Sequence, residues 1–580
     1  MRWQHRLMVG LAVVLTGAAM ATTGKLANGT GNLSKARREA LIGKIEAIKQ
    51  FLQDSQDPNA EQLLAYTREL SQEVRAKKFG LVFEEHRERV DVVLEENLPI
   101  VREEAARFLD HGGELNFLIE GENLAALKLL AKTHRGKVDV IYIDPPYNTG
   151  NKDFVYNDCY VDANDLFRHS KWLSFMEKRL NVAKTLLSQR GVVFISIDDN
   201  EQATLKLLCD EIFGYEAFVA TIPWRKRTAK ADVPHRLSQD YEWVMCYAMP
   251  QFNAGIKKQT RKYFETEDFP GRPWRIHDMT KQTSAKERPN SYFTMVNPKT
   301  GQKYPASKKR TWAVSVDTFD EYYKAGRIIF PGDYEFLNIK KPVLRYFKDD
   351  DMRRDGLRFG YATVSTYLPS EVGMSQDGTK DIAALFEEKV FSFPKPVSLI
   401  SYLVEIALPN ISDALVLDFF AGSGTTGHAV MKLNAADGGK RRFILVTNNE
   451  NGICERVTYE RLRRVMEKDG YAARLKYLKV DYVPIKERLY YEYANELLGA
   501  IRELVELENG IDFAREQGVA IVQTDEELAA LVADEARLAA CRKLYKGHEV
   551  LMGNKQKATL RRAGIEVLEI PQYYYPELED

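Results

Sequence analysis

The chain has few cysteines and no metal-binding pattern among them. Its five, Cys159, Cys209, Cys246, Cys454 and Cys541, are odd in number and too scattered for a disulfide framework or a zinc site. That points to a reducing compartment. Net charge is also absent: 83 Lys and Arg balance 83 Asp and Glu, so any attraction to nucleic acid must be local. There is no internal repeat, no long low-complexity tract and no phosphate loop ending in Gly-Lys-Ser/Thr. Lacking that loop, the chain is not expected to be a nucleotide-driven translocating motor. The apolar run Leu7 to Ala21, behind Arg2 and Arg6 and ending in Ala19-Met20-Ala21, is too short for a comfortable membrane span. Its layout is that of a secretory signal. The competing reading is a start codon placed too far upstream, with the working chain beginning near Leu33.

What is present is organised around Val138-Asp139-Val140-Ile141-Tyr142-Ile143, followed by Asp144-Pro145-Pro146-Tyr147-Asn148-Thr149-Gly150. A short apolar run rich in β-branched residues reads as a buried strand. Two prolines forbid its continuation and bias the preceding residues toward extended backbone. A carboxylate, two carbonyls without competing N–H groups and an aromatic ring are thus held at the carboxyl end of a strand, where ligands bind in open α/β sheets.

At 580 residues the chain should form several domains. Residues 1–32 are the signal-like or mis-started segment, and 33–110 read as helical and charged, with Ile42, Ile45, Ile48 and Leu52 on one face. From 111 to 224 strands and helices alternate, which predicts a mostly parallel sheet with helices on both faces. The elements expected there include a helix from about Ala163 to Gln189 and a strand from Gly191 to Asp198. Between 221 and 310 there are 19 Lys and Arg against 8 Asp and Glu, interleaved with Tyr263, Phe264, Phe269, Trp274, Tyr292, Phe293, Tyr304 and Trp312. A basic segment with stacking rings suits a surface that grips a duplex or reads bases, although basic loops are often only solvated. This makes 225–390 a candidate recognition region. Residues 391–480 return to the sheet pattern. Residues 481–580 read as a helix (Glu487 to Leu507) and a small α/β appendage containing Val519 to Val522 and Glu549 to Met552.

Within 391–480 the strand Ala414 to Phe420 runs into Ala421-Gly422-Ser423-Gly424-Thr425-Thr426-Gly427 and a helix. Another strand, Phe443 to Val446, leads to Glu450. Strand, glycine loop, helix and later acid form a nucleotide-binding arrangement. Glycines admit the ligand, the helix N-terminus faces an anion, Thr425 and Thr426 add hydroxyl donors, and Glu450 can accept from ribose hydroxyls. Either a dinucleotide or S-adenosylmethionine fits. The Asp-Pro-Pro-Tyr site separates the two, because hydride transfer has no use for it and methylation of an exocyclic amine does. A carboxylate (Asp144) and a carbonyl (Pro145) accepting the two amino hydrogens of adenine favour a more tetrahedral nitrogen. Tyr147 could stack on the flipped base. Among smaller features, Asp198-Asp199 with Glu201 reads as an acidic turn rather than a magnesium site. His111, His134, His169 and His235 read as surface or core residues. The run Arg225-Lys226-Arg227 could hold phosphate backbone.

Asp144-Pro145-Pro146-Tyr147 resembles the catalytic motif, and Phe420-Ala421-Gly422-Ser423-Gly424 the cofactor motif, of amino-methyltransferases acting on DNA. Catalytic before cofactor motif is the order of the β class, a circular permutation of the common Rossmann-like fold. Asp rather than Ser before the prolines favours adenine N6 over cytosine N4. Asp144 through Gly150, Ile197 through Glu201, Phe393-Pro394-Lys395-Pro396, Asp418 through Gly427, Gly326-Arg327-Ile328 and Lys341-Pro342 are similar to modification subunits of type III restriction systems. The resemblance covers about 115 to 480. It implies a doubly wound, circularly permuted α/β methyltransferase sheet with an inserted target-recognition region. It also implies S-adenosylmethionine contacts at Asp418, Phe420, Gly422, Gly424 and Glu450, with Lys395 and Pro396 near the methionine end. Gly121-Glu122-Asn123 resembles a stretch near the cofactor adenine. Glu stands there for the family's Asp, which leaves open whether Glu122 or Asn123 makes the contact. The partners implied are double-stranded DNA, a helicase–nuclease restriction subunit and a second copy of the chain, in the cytoplasm. Two alternatives remain: a recognition subunit that methylates weakly or not at all, and a nicotinamide-linked oxidoreductase.

Overall fold

All six residues of Val138–Ile143 are buried. A strand covered on both faces belongs inside a parallel sheet flanked by helices, and this one lies near the middle of a ten-stranded sheet. The computed structural model describes residues 33–53, 59–75, 81, 83–150, 155–156, 159–162, 164–228, 236–257, 261–356, 359–409, 411–488 and 490–570. The signal-like segment and His235 lie outside them. The chain divides into two units at Phe83/Glu84. In the first, helices Leu33–Gln53 and Ala60–Arg75 pack on each other.

The second unit holds the sheet. Its strands are β1 (Asn97–Glu103), β2 (Glu114–Glu120), β3 (Val138–Ile143), β4 (Leu187–Ile197), β5 (Phe218–Arg225), β6 (Tyr241–Ala248), β7 (Leu415–Asp418), β8 (Arg442–Thr447) and β9 (Ala473–Pro484). They run in the order β1-β9-β2-β8-β7-β3-β4-β6-β5, with the short strand Leu109–Asp110 also on β9. Neighbours from β9 to β4 are parallel, and the outer pairs are antiparallel. The helices are α1 (Asn123–Thr133), α2 (Arg168–Leu186), α3 (Gln202–Phe213), α4 (Val397–Ala407), α5 (Thr425–Asp437), α6 (Glu460–Asp469) and α7 (Ile501–Asn509). Although β7 comes some 270 residues after β3 in the chain, it lies beside β3, with Leu417 opposite Ile141. The two strands therefore release their loops at one edge of the sheet, at the point where the strand order reverses. This is the permuted, doubly wound architecture that the motif order implies.

Several expectations need correction. Residues 97–103 are a strand rather than part of a helical region, because Ile100 and Val101 are buried against β9. Pro99 is tolerated because β1 is an edge. Helix α2 is shorter than expected, and the chain is already extended from Leu187. The region 225–390 does not begin at a domain boundary: β5 and β6 extend the main sheet and bury Trp224, Val244, Met245 and Cys246. Within the insertion Trp274, Tyr304 and Trp312 are core residues, so these rings fill the interior instead of offering a stacking surface. Several of its cations pair with the helix Lys348–Asp355: Arg272 with Asp349, Arg275 with Asp351 and Arg327 with Asp350. The expected helix from Glu487 to Leu507 is two, Tyr490–Gly499 and α7. The appendage is a parallel three-stranded sheet of Val519–Val522, Lys543–Lys546 and Glu566–Glu569, with Ala520, Leu528, Leu544 and Leu560 in its core. Glu549 to Met552 form no strand in it.

Candidate active site

The loop after β3 is anchored on both sides. The Trp172 indole of α2 donates to the Pro146 carbonyl at 2.7 Å. Asn148, buried and at φ +57°, donates to the Arg168 carbonyl at 3.2 Å and to Glu201 at 2.6 Å. Glu201 is fully buried and also meets His169 Nδ1 at 2.6 Å. The acid after β4 is thus an anchor for the catalytic loop, and His169 helps to hold it. Among the described residues no group of His, Cys, Asp and Glu has the arrangement of a metal site. Of the two proline carbonyls, that of Pro146 is committed to Trp172. No described residue hydrogen-bonds the carbonyl of Pro145, which lines the cleft.

Asp144 does not stand alone. The Lys395 ammonium donates to both of its oxygens at 2.8 Å and to the Tyr147 hydroxyl at 2.8 Å. The Tyr147 hydroxyl hydrogen faces Asp144 Oδ1 at 3.0 Å and Glu242 Oε2 at 3.1 Å. Glu242 Oε2 lies 3.6 Å from the Lys395 ammonium, and Glu242 Oε1 accepts from Lys226 at 3.2 Å. Burial pushes the Asp144 carboxyl up, and Glu242 adds to this while Lys395 opposes it. Burial alone would lower the Lys395 ammonium, but Asp144 and Glu242 hold it above its ordinary value. Lys395 is therefore the counter-ion of Asp144, at the Asp-Pro-Pro-Tyr end of the cleft, rather than only a contact expected near the methionine end of a cofactor. Glu242, on β6, was not among the expected site residues. Nothing in its sequence neighbourhood marks it, because the contact joins positions 95 residues apart.

The cleft has a volume of about 1190 Å³ and runs from Asp144, Pro145, Pro146 and Tyr147 past Lys395 to Phe420, Gly422 and Glu450. Glu450 is exposed at its rim. Gly422, at φ +48°, sits under Phe391, whose ring a Cβ would approach to 3.3 Å. Glu122 and Asn123 line the far wall, but both are committed structurally. Glu122 caps α1 through Leu124 N at 2.6 Å and pairs with the buried Arg179. Asn123 donates to the Phe419 carbonyl at 3.1 Å and accepts from Arg179. Arg179 also holds Glu88 at 2.9 and 3.0 Å.

Five of the expected cofactor contacts, Asp418, Gly424, Thr425, Thr426 and Pro396, are not among the residues that line the cleft. Thr426, fully buried, donates to Asp418 at 2.6 Å. Thr425 accepts from the buried Arg461 at 2.8 Å. Asp418 also accepts from Phe420 N at 3.0 Å, and burial pushes its carboxyl up to about 7 despite these donors. Gly424, at φ +77°, packs on Thr458. These groups shape the loop and point away from the cleft, as Pro396, buried at the start of α4, also does. Of the basic run, Lys226 and Arg227 line the cleft. Lys226 is engaged by Glu242, and Arg227 donates to the Gln239 carbonyl at 2.9 and 3.1 Å. Arg225 is exposed at the end of β5.

A family model described as DNA methylase matches residues 138–458, which include β3, the insertion and the glycine loop. The chain is 33% identical over 393 residues to the type III restriction-modification enzyme StyLTI Mod subunit of Salmonella typhimurium, covering 61% of this chain and 57% of that protein. It is 32% identical to the EcoPI Mod subunit of Escherichia phage P1 over 58% of each chain. With the type II methyltransferase M.KpnI of Klebsiella pneumoniae it shares 31% identity over 63% of this chain and 88% of that one. It spans a little over half the length of the two Mod subunits. With more than half of its length matched, from the catalytic strand through the glycine loop and beyond, the chain belongs to the DNA methylase family.

Proposed function

We propose that this chain transfers a methyl group from S-adenosylmethionine to the N6 amino group of an adenine flipped out of duplex DNA. The observation that carries this reading is that Asp144 and the free Pro145 carbonyl share one cleft with the glycine loop of the neighbouring strand. The adenine N6 lone pair is delocalised into the ring and attacks poorly. Asp144 accepting one amino hydrogen and Pro145 the other draw that lone pair out of conjugation and aim it. Asp before the prolines favours adenine over cytosine.

The donor, when bound, supplies an electrophilic methyl carbon on sulfur. The residues at hand fit it: the exposed Glu450 carboxylate suits ribose hydroxyls, the Phe420 and Phe391 rings suit apolar atoms, and Gly422 gives close backbone approach at the start of α5. With the donor bound, N6 would gain the methyl group as the donor's sulfur–methyl bond is lost, and Asp144, held against that nitrogen, is placed to receive the proton it sheds. Similarity to Mod subunits of type III restriction-modification enzymes supports a role as modification subunit of such a system; pairing with a restriction subunit and with a second copy of the chain is the further part of this proposal. A cytoplasmic location follows from substrate and donor. No described helix is long and apolar enough to cross a membrane.

The test is to incubate the protein and its Asp144→Ala variant with unmethylated genomic DNA and labelled donor, then map modified bases. Label on adenine N6 within one short motif, lost in the variant, is expected. Sequence-specific binding without transfer would leave a recognition subunit instead.

A further inference from the structure

In the cleft the Lys395 ammonium occupies the place that the substrate's amino group needs. It donates to both Asp144 oxygens at equal distance, 2.8 Å. An incoming neutral N–H donor must compete with a charge-assisted pair, which is the stronger of the two. Simply releasing Lys395 would strand a cation in a site where its side chain is only 10% exposed, an unfavourable state. Glu242 offers a way out. Its side chain is 12% exposed, and Oε2 already lies 3.6 Å from the ammonium. The Tyr147 hydroxyl lies between the two carboxylates, within hydrogen-bond distance of each. Lys226 holds Oε1 at 3.2 Å, which keeps Oε2 turned toward Lys395.

Building on the methylation reading above, we propose that Glu242 is a positioning residue, the second seat for the Lys395 ammonium. Lys395 shifts onto Glu242 when the amino group of the target base takes Asp144. The exchange trades one carboxylate–ammonium pair for another, so no charge is left unpaired while the Asp144 oxygen becomes free to accept the amino hydrogen. The charged and titratable groups facing Glu242 are Lys226 from the end of β5, Lys395 from the segment before α4, and Asp144 and Tyr147 from the loop after β3. Asp198 and Tyr142 act at longer range.

The test compares Glu242→Gln and Glu242→Asp, each alone and with Lys395→Met, with the unaltered protein, measuring methyl transfer to saturating unmethylated genomic DNA, with DNA affinity measured in parallel. With no second seat, Lys395 stays on Asp144, so Glu242→Gln should lose about tenfold or more in kcat at neutral pH with DNA affinity unchanged. The double variant Glu242→Gln/Lys395→Met should lose no more than Lys395→Met alone, because without the ammonium there is nothing to reseat and Asp144 is open to the amino group. Glu242→Asp, keeping the charge one methylene further back, should lose less. A Glu242→Gln loss that persists in full on top of Lys395→Met, as a packing defect would give, or no loss at all, overturns the proposal. If the unaltered protein methylates no DNA, the underlying reading fails instead. Should Glu242→Gln not fold, the same comparison of Glu242→Asp with and without Lys395→Met decides alone.

Discussion

A largely buried carboxylate with no counter-ion gains affinity for a proton, and a protonated Asp144 would be a weaker acceptor and could not take the proton shed by the nitrogen. Lys395 prevents this, as its ammonium opposes the upward push of burial and of Glu242. Lys395→Met should therefore raise the Asp144 pKa further and move the acid limb of the pH–rate profile to higher pH, measured as kcat against pH. Asp144→Asn should cost about a hundredfold or more at every pH, since the amide keeps an acceptor oxygen but never carries the charge that receives the proton shed by nitrogen. Asp418 gives a stability prediction of definite sign. Its folded pKa of about 7 lies above its ordinary 3.8. The stability it contributes is thus complete below the ordinary carboxylate value and is lost as pH rises through about 7. Asp418→Asn should flatten that part of the curve, read as Tm between pH 4 and 7.5. Asp144, Tyr147 and Pro145 were legible in the sequence because strand, acid and prolines are contiguous, and local backbone rules bring them together. Glu242 was not, since an acid in an alternating strand looks like any solvated position until the sheet sets it against Tyr147. The hydroxyls of Thr425 and Thr426 misled for the converse reason. A helix start predicts donors, but only the packing of Asp418 and Arg461 shows that they turn inward.

Among the elements, β3, β7, β8 and the helices between them were readable because apolar runs bounded by glycine, proline and acid leave little choice. β1, β5 and β6 were missed. Each carries charge or proline typical of edges, and only pairing, of β1 with β9, β6 with β4 and β5 with β6, settles them as strands. The insertion's aromatics were misread as a surface because interleaved cations suggest one. In the fold Trp274, Tyr304 and Trp312 pack inward while Tyr292 stays exposed, and several of the cations meet acids supplied by the helix Lys348–Asp355. Two glycines fix how elements meet at the cleft. Gly424 heads α5 at φ +77°, and an added Cβ would lie 3.1 Å from Thr458 Cγ2. Gly424→Ala should combine backbone strain of about 1–2 kcal/mol with a distorted loop, weakening donor binding measured by calorimetry. Gly378, in the helix Ser375–Ala383, touches the chain just before Lys395: its Cβ would meet the Pro394 carbonyl oxygen at 2.1 Å. Gly378→Ala must displace the segment that carries Lys395. Its kcat should fall while donor affinity changes little.

At the scale of the second unit, a buried charge cluster ties the catalytic sheet to helix α7. Lys476 of β9 is fully buried and meets Glu506 of α7 at 2.8 Å, Glu103 of β1 at 3.0 Å and Asp512 at 3.3 Å. Glu506 is fully buried and Asp512 nearly so. Burial alone would lower the Lys476 ammonium, but Glu506 and Glu103 hold it above its ordinary value, so it stays charged. Such a cluster stabilises little relative to a well-packed apolar one, but losing one member is severe because the others stay buried without a counter-charge. Lys476→Met should therefore cost about 3–5 kcal/mol. The cost should appear first where α7 leaves the sheet, as faster hydrogen exchange over α7 and the chain up to Phe513, whose N–H donates to Glu506. The double variant Lys476→Met/Glu506→Met removes a cation and the acid closest to it together and should recover part of the loss. A single variant as stable as the unaltered protein would mean that the carboxylates find water or protons when Lys476 is gone, and that α7 is held on the sheet by apolar contacts such as those of Leu504 and Val505.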